Sequence, residues 1–386
     1  MRMRVTLFVL ALASAARPAL PQSASVTQRV TVVQLEQTIA NAHSRWNWRL
    51  AKQISGMRLT ERLSEARLVR LERELHNAHA REALMALADE SAFLDLPAAD
   101  VPSRPAPDAA EQAELLRRSV DSAKKTIDGW PNFIATREMT RFEGTASVIP
   151  DDLQDELFSY LSDRAPPAAN WECPGEPKIG HQRISLIDQS SVTVVNRNGE
   201  ELHALGERGG EFECPENGVS TTEEFGKVLW WVPRIVAHSK VEWSHWESGA
   251  SGLVAVFRYS ASIVHRSIPV EVQGEIAINP ADGSILRLSQ MRRWTKHEPA
   301  SDTRAAYDRL VEYDSAIDYG AVTIGGSVYI CPVKRVALYL TPILRPKGLD
   351  SQDDEIYRRF ALPESPLQEY LNDIAFTHYR LYGAPS

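Results

Sequence analysis

The feature that most constrains the fold of this chain is a long series of segments in which apolar and polar residues alternate. The series runs from about residue 133 to residue 340 and includes VTVVNRNGEE, KVEWSHWE, VAVFRYS, INPADGSILRL and AVTIGGSVYICPVKRVAL. A period of two is typical of β-strands whose two faces have different surroundings. Turn signals occur at Asn198-Gly199, Asp282-Gly283 and Gly325-Gly326, as in β-hairpins. The pattern predicts an antiparallel meander within residues 111–345.

Residues 25–96 have a different, helical periodicity. In SEARLVRLERELH, Leu68, Leu71 and Leu75 recur at intervals that place them on one face of a helix, and Ser64 is a suitable N-cap. The segment REALMALADESAFL repeats this pattern. We therefore expect a small N-terminal helical domain, whose charged outer face is either solvated or docks a protein partner.

A proline-rich stretch follows at 97–110, and among its small residues are Pro97, Pro102, Pro105 and Pro107. This composition is that of a linker and predicts a semi-extended hinge.

Near the end of the chain, SPLQEYLNDIAFTHYRLY has the pattern of an amphipathic helix, so residues 346–386 are predicted to be a C-terminal helical segment. The predicted fold class is α+β, with helical elements before and after the sheet domain.

The chain begins with the layout of a secretory signal peptide. Arg2 and Arg4 precede the apolar run 5–12, and small residues follow it. We expect residues 1–24 to be removed by cleavage somewhere between residues 16 and 24. The mature protein is then periplasmic or extracellular, whereas the alternative is a buried N-terminal helix.

Charge and hydropathy limit the classes of partner. The formal net charge is -8, and it becomes about -10 when the leader and its arginines are removed. Binding to nucleic acid depends on clustered Lys and Arg that neutralise phosphates, so nucleic acid is not expected as a partner. After the leader, no apolar stretch reaches the roughly 18 residues of a spanning helix, and the chain is not expected to be transmembrane.

The chain has three cysteines, and each precedes a proline. Cys173 in WECPGEP and Cys214 in FECPENG share the same local sequence and flank a predicted hairpin. We expect them to form a disulfide, which an exported protein permits. Cys331 lies inside an alternating run, where a buried thiol is the simplest interpretation. A zinc site usually has closer cysteine spacing and a fourth ligand, so no metal site is predicted.

No motif for catalysis stands out. The ten histidines form no His-Glu-x-x-His motif, and no serine lies in a nucleophile elbow. His245, between Trp243 and Trp246 in WSHWE, is the most suggestive, although a single histidine on a strand more often packs against its sheet. We therefore expect a protein without enzymatic activity and without a cofactor.

Tryptophan is the most informative residue type. Seven of the nine tryptophans lie within residues 130–294, and two fall in the helical segment TTEEFGKVLWWV that interrupts the strands. Such aromatic content either fills a bulky core or lines an apolar cavity for a hydrophobic ligand. On the second interpretation the candidate lining residues are Trp230, Trp231, Phe257, Tyr259 and Trp294.

The order of these motifs, from WPNFIATREMTRFE through INPADGSILRL to the final alternating run, resembles a group of exported bacterial proteins. Over residues 123–340 it is also similar to the LolA, LolB and RseB superfamily of lipoprotein carriers and sigma-factor regulators. This resemblance implies a half-open barrel, a LolA-like curved antiparallel sheet lined with apolar residues and covered by helices. It implies room for an acyl chain or a lipidated partner, and it implies no catalytic residues.

Together these observations predict an exported, non-enzymatic binding protein. Its partner would be a hydrophobic small molecule or a lipoprotein held on the concave face of the sheet. The alternative is a periplasmic sensor or scaffold that acts through protein contacts of the N-terminal helices.

Overall fold

The structure is a computed structural model that describes residues 28–42, 48–145, 184–197, 200–203, 228–249, 252–265, 268–298, 307–342 and 367–383. These residues form an α+β fold with a large antiparallel sheet and six α-helices. The predicted α+β class and the antiparallel arrangement are confirmed. The predicted signal peptide lies outside the described residues.

Ten strands form the large sheet. They are β3 (Phe133–Thr145), β4 (Ile184–Arg197), β5 (Glu200–His203), β6 (Lys240–Gly249), β7 (Gly252–His265), β8 (Ile268–Ile278), β9 (Ile285–Glu298), β10 (Tyr307–Ile324), β11 (Ser327–Pro342) and β12 (Leu367–Leu381). Their order is β5-β4-β3-β12-β11-β10-β9-β8-β7-β6. Two meanders therefore join where β12 pairs with β3. Within the described ranges the sheet is open, with β5 and β6 as its edges.

Two of the predicted glycine turns lie in the described residues and form hairpins. Gly325 and Gly326 connect β10 to β11 with φ angles of 59° and 87°, as a two-residue type I′ turn requires. Gly283 has a φ of 78° in the turn between β8 and β9. Arg197 of β4 pairs with Glu200 of β5, and the predicted turn residues Asn198 and Gly199 lie outside the described residues.

The predicted C-terminal helical segment 346–386 is wrong in its described part, because residues 367–381 form strand β12. Leu367, Leu371 and Ile374 recur at a helical spacing, which favoured the helix. In the structure β12 lies in the middle of the sheet, with Leu371 packed on one face and Ile374 on the other. A strand that is buried on both faces lacks strict alternation, so periodicity alone does not distinguish it from a helix.

The N-terminal residues form a helical unit with its own core. It comprises α1 (Val32–Asn41), α2 (Trp48–Ser55), α3 (Glu65–Glu74), α4 (Ala78–Glu90) and the short parallel pair β1 (Gln28–Val30) and β2 (Met57–Leu59). Leu35, Ile54, Leu71 and Leu84 are almost completely buried inside it. This burial stabilises the unit through its own apolar contacts.

Two further helices cover one face of the large sheet, which we call the core face. They are α5 (Ala109–Gly129) and α6 (Trp231–His238). Leu115 of α5 and Ile235 of α6 belong to the same buried cluster as Phe257 of β7. Apolar packing therefore holds both helices against the second meander.

The proline-rich stretch 97–110 is anchored, which differs from the predicted hinge. Asp100 accepts hydrogen bonds from Arg67 at 2.6 and 2.7 Å. Trp246 Nε1 donates to the carbonyl of Pro105 at 2.8 Å, and the guanidinium of Arg104 lies over the Trp246 ring. These contacts tie the stretch to both the N-terminal unit and β6.

The N-terminal unit packs on the opposite face of the sheet, which we call the docking face. Ala86 of α4 joins an apolar cluster with Phe142, Leu338 and Leu371. Ion pairs across this junction join Asp89 to Lys334, Arg62 to Glu247 and Asp95 to Arg258. The sheet is therefore covered by helices on both faces.

Candidate functional site

Two of the predicted lining residues, Phe257 and Tyr259, lie inside the packed core under α5 and α6. They are only 1% and 3% exposed. Tyr259 Oη donates to the carbonyl of Ser289 at 2.8 Å, and burial raises the pKa of Tyr259 above its usual range. The ring of Trp243 packs edge-on against Phe257, with 5.4 Å between the centroids. The protein's own side chains fill this part of the core face.

Trp230 and Trp231 lie at the start of α6 and point away from the core. They are 50% and 38% exposed, whereas Val232 and Ile235 of the same helix are buried. The guanidinium of Arg234 lies 5.5 Å from the centroid of the Trp231 ring. The structure therefore places this tryptophan pair on the outer surface of the covering helix.

Trp294 belongs to a second region, which we call the aromatic platform. The platform consists of Arg292, Trp294, Tyr313, Tyr339 and Tyr370, all partly buried. Strand pairing places Tyr313 beside both Arg292 and Tyr339, and it places Tyr339 beside Tyr370. The rings of Tyr339 and Tyr370 have centroids 6.4 Å apart. One row of side chains thus crosses strands β9 to β12.

The platform lies on the core face. Leu288 and Ile317 are paired residues of the packed core. The pairing of β9 with β10 runs without a register shift from this pair to Trp294. Since alternate residues of a strand share a face, Arg292 and Tyr313 lie on the same side as the core. The filled core and the platform are therefore neighbouring parts of one surface.

Polar groups lie among the tyrosines. Arg335 Nη2 donates to Tyr313 Oη at 2.6 Å. Ala337 pairs with Ser315 on one side and with Asn372 on the other, so the neighbouring row of side chains contains a hydroxyl and an amide. The platform combines aromatic surface with hydrogen-bonding groups, which is the composition of small-molecule sites.

Burial makes the titratable groups at the edge of the platform harder to ionise. It raises the pKa of Tyr370 to about 12, and the negative charge of Glu143 contributes in the same direction. Burial also raises the pKa of Glu143 itself, which pairs with Tyr370 in register. The Tyr370 hydroxyl therefore remains protonated at neutral pH and can donate a hydrogen bond.

His245 lies away from the platform, on the docking side of β6. A bulge between Trp243 and His245 lets Trp243 and Trp246 share the core face, with ring centroids 4.9 Å apart. Ser244 Oγ is 2.9 Å from His245 Nδ1, and Glu247 Oε2 is 3.9 Å from Nε2. Desolvation lowers the pKa of His245. The contacts of His245 are therefore with side chains of its own edge strand, β6.

Cys331 is the one cysteine among the described residues. Cys331 is buried outside any disulfide, and burial raises the pKa of its thiol to about 12, which agrees with the predicted buried thiol. Cys173 and Cys214 lie outside the described residues, so their disulfide stays a prediction. Within the described part of the chain, no group of three or more His, Cys, Asp or Glu side chains is placed to hold a metal ion.

Comparisons with known proteins give no match: no family model, no curated protein and no solved structure matches this chain. In the ranges that the structure describes, no helix is long and apolar enough to cross a membrane.

Proposed function

We propose that the protein is an exported, non-enzymatic binding protein that holds a hydrophobic ligand or a lipidated partner on the aromatic platform. The observation that carries the proposal is the row of partly buried rings formed by Tyr313, Tyr339 and Tyr370 beside Trp294. Aromatic rings offer a large apolar contact area with a defined geometry. A ligand that covers them removes this area from water, which favours binding.

The filled part of the core face supports the platform. Leu288 and Ile317, one on each of the two strands that carry Trp294 and Tyr313, are 4% and 1% exposed. Their packing under α5 and α6 fixes the strands, and binding groups on rigid strands keep a precise geometry. The ligand therefore meets a surface that is largely formed before it binds.

The proposal also includes the predicted likeness to lipoprotein carriers. On this view the open sheet curves into a half-open barrel, and α5 and α6 are its covering helices. The antiparallel order of the strands and the signal-peptide pattern at 1–24 support this interpretation. Fold likeness alone does not decide function, so the test is made on the ligand itself.

The test is native mass spectrometry of the protein recovered from a periplasm, before and after extraction with organic solvent. We expect a mass adduct in the range of a fatty acid or phospholipid that disappears on extraction. A Tyr339→Ala, Tyr370→Ala double variant should carry less of this adduct, because two of the three tyrosine rings in the row are removed.

The matched control is Trp230→Ser, which removes an exposed ring outside the platform. It should keep the adduct at the wild-type level. Equal occupancy in all three proteins would move the ligand away from the platform. A protein that carries no adduct and takes up no added lipid would contradict the proposed function.

A second candidate function is a sensor or scaffold that binds a protein through the N-terminal helices. One observation favours it: Val33 of α1, Trp48 of α2 and Val69 of α3 are exposed apolar side chains. Deleting the unit would uncover Phe142 and Leu371 on the sheet, so point substitution is the cleaner test. Trp48→Ser should abolish partner capture and leave lipid occupancy unchanged if this function holds.

A further inference from the structure

The aromatic platform contains two polar side chains that lie side by side on neighbouring strands. Arg292 of β9 and Tyr313 of β10 are directly paired in register and share the core face. Directly opposite residues have Cβ atoms about 4.5–5.5 Å apart. A guanidinium and a phenol hydroxyl therefore lie within reach of a single small acceptor group.

Both side chains have donor capacity to spare within the described residues. Arg292 Nη2 donates to Gln290 Oε1 at 2.8 Å, whereas Arg292 Nε is buried and has no hydrogen-bond partner there. Tyr313 Oη accepts a hydrogen bond from Arg335 Nη2, so its own proton is directed elsewhere. The Nε atoms of Arg62 and Arg118 are also buried without a hydrogen-bond partner among the described residues. Arg292 differs from them in its place beside Tyr313 on the platform.

The surrounding charge favours an anion as the missing acceptor. Register places Arg292, Arg335 and Arg141 on the core face around the tyrosine row. The acidic groups beside them are Glu143, which burial makes harder to ionise, and Asp188, 3.8 Å from Arg141. A guanidinium presents its donors in a planar fork that matches a carboxylate.

The apolar surface next to this pair determines the rest of the ligand. Trp294 lies two residues from Arg292 on the same face, and it pairs with Val270 and with the fully buried Val311. Tyr259 and Val272 extend this surface toward the filled core. An acceptor held by Arg292 and Tyr313 would thus have an apolar chain lying along Trp294.

The geometry points to a carboxylate site: the platform binds a long-chain carboxylic acid, with its head group between Arg292 and Tyr313 and its chain along Trp294. This inference rests on the proposed function, because it names the ligand class of the same site. Arg292 donates through the part of its guanidinium that does not bond Gln290, and Tyr313 donates its hydroxyl proton to the other carboxylate oxygen. Arg335 holds the Tyr313 hydroxyl in the orientation that makes this possible.

The experiment compares dodecanoate with dodecan-1-ol, two ligands with equal chains and different head groups. Dissociation constants for the full mature protein are measured by isothermal titration calorimetry below the critical micelle concentration. We expect dodecanoate to bind roughly tenfold or more tightly than the alcohol, since hydrogen bonds to a charged group are the stronger ones. The variant Arg292→Gln should bind both ligands alike, and Tyr313→Phe should lose part of the preference.

The control is the next residue of the same strand. Arg293 faces the docking side and pairs with Glu312 at 3.2 Å, so Arg293→Gln should keep the preference for the acid. Arg292→Lys keeps the positive charge but not the planar guanidinium, so it should keep part of the preference for the acid. This conservative variant also controls for a loss of binding that is caused by misfolding. Equal affinity of the wild type for acid and alcohol would overturn the carboxylate site and leave the proposed function standing. Binding of neither ligand would overturn both.

Discussion

The two faces of the large sheet are held by different kinds of contact. On the core face, α5 and α6 bury apolar side chains such as Leu115, Ile235 and Phe257. On the docking face, the N-terminal unit contributes a smaller apolar cluster and several ion pairs, among them Asp89 with Lys334 and Arg62 with Glu247. One sheet thus carries a face built by hydrophobic burial and a face built largely by paired charges.

The two kinds of contact respond differently to pH and to substitution. Hydrophobic burial does not depend on pH, whereas a buried charge depends on its partner and on its protonation state. The attachment of the N-terminal unit therefore depends on pH and on both members of each ion pair. The platform lies on the other face, where it depends on the core and not on those ion pairs.

The largest expected effect is on the core face. Phe257→Ala should reduce the free energy of unfolding by about 3–5 kcal/mol, because it leaves a cavity in a closely packed cluster. Denaturant titration measures this loss. Val264→Ala, at a position that is 75% exposed on the same strand, should change it by less than about 0.5 kcal/mol. Similar losses for the two variants would contradict the assignment of the core face.

The next effect is on the docking face. Lys334 Nζ is 2.7 Å from Asp89 Oδ1 and 3.3 Å from Asp373 Oδ1. Lys334→Met should cost about 1–3 kcal/mol of unfolding free energy, less than for a fully buried pair because the lysine remains partly exposed. Adding Asp89→Asn to this variant should recover part of the loss. Strictly additive losses in a double-mutant cycle would show that the charges are not coupled.

The docking face should also make stability depend on pH. Burial raises the pKa of Asp314 to about 7, with Arg293 acting against the shift and Glu312 with it. The unfolded chain ionises this carboxyl near pH 4, so its contribution to stability is complete below that pH and is lost as pH rises through 7. Between pH 6 and pH 8 the loss is about 1.4 kcal/mol. Asp314→Asn should remove this part of the pH dependence, and an unchanged profile would refute the shift.

The smallest expected effect is on the outer surface of α6. Trp230→Ser should change the free energy of unfolding by less than about 0.5 kcal/mol, because the residue is half exposed. Val232→Ala, two residues further along the chain and fully buried, should cost clearly more. Thermal unfolding of both variants provides the comparison. A larger loss at Trp230 would place its ring in the core.

The fold could be predicted from the sequence wherever one face of a strand is more polar than the other. The alternating runs and glycine turns predicted the second meander. The same reasoning failed for β12, because the strand is covered on both faces and its apolar residues Leu371 and Ile374 have a helical spacing. Length and periodicity do not distinguish such a strand from a buried helix.

The platform was harder to predict than the fold, because it depends on register. Counting outward from the Gly325-Gly326 turn pairs Tyr313 with Leu338. A bulge after Asp318 shifts the register by one residue, and the partner becomes Tyr339. Bulges of this kind change which side chains meet across a sheet. The register skips Val333, and the preceding Pro332 is the sequence signal that could have indicated a bulge there. Tyr370 joins the row only because the predicted C-terminal helix is a strand.

The central claim is that the ligand lies on the platform and not in the filled core or on the covering helix. Photo-crosslinking with a diazirine-bearing dodecanoate, followed by peptide mass spectrometry, tests it most directly. We expect labelled peptides from β9, β10 and β11 that contain Trp294, Tyr313 or Tyr339, and we expect excess dodecanoate to displace this label. Displaceable label confined to α6 or to the N-terminal unit, with the platform peptides unlabelled, would contradict it.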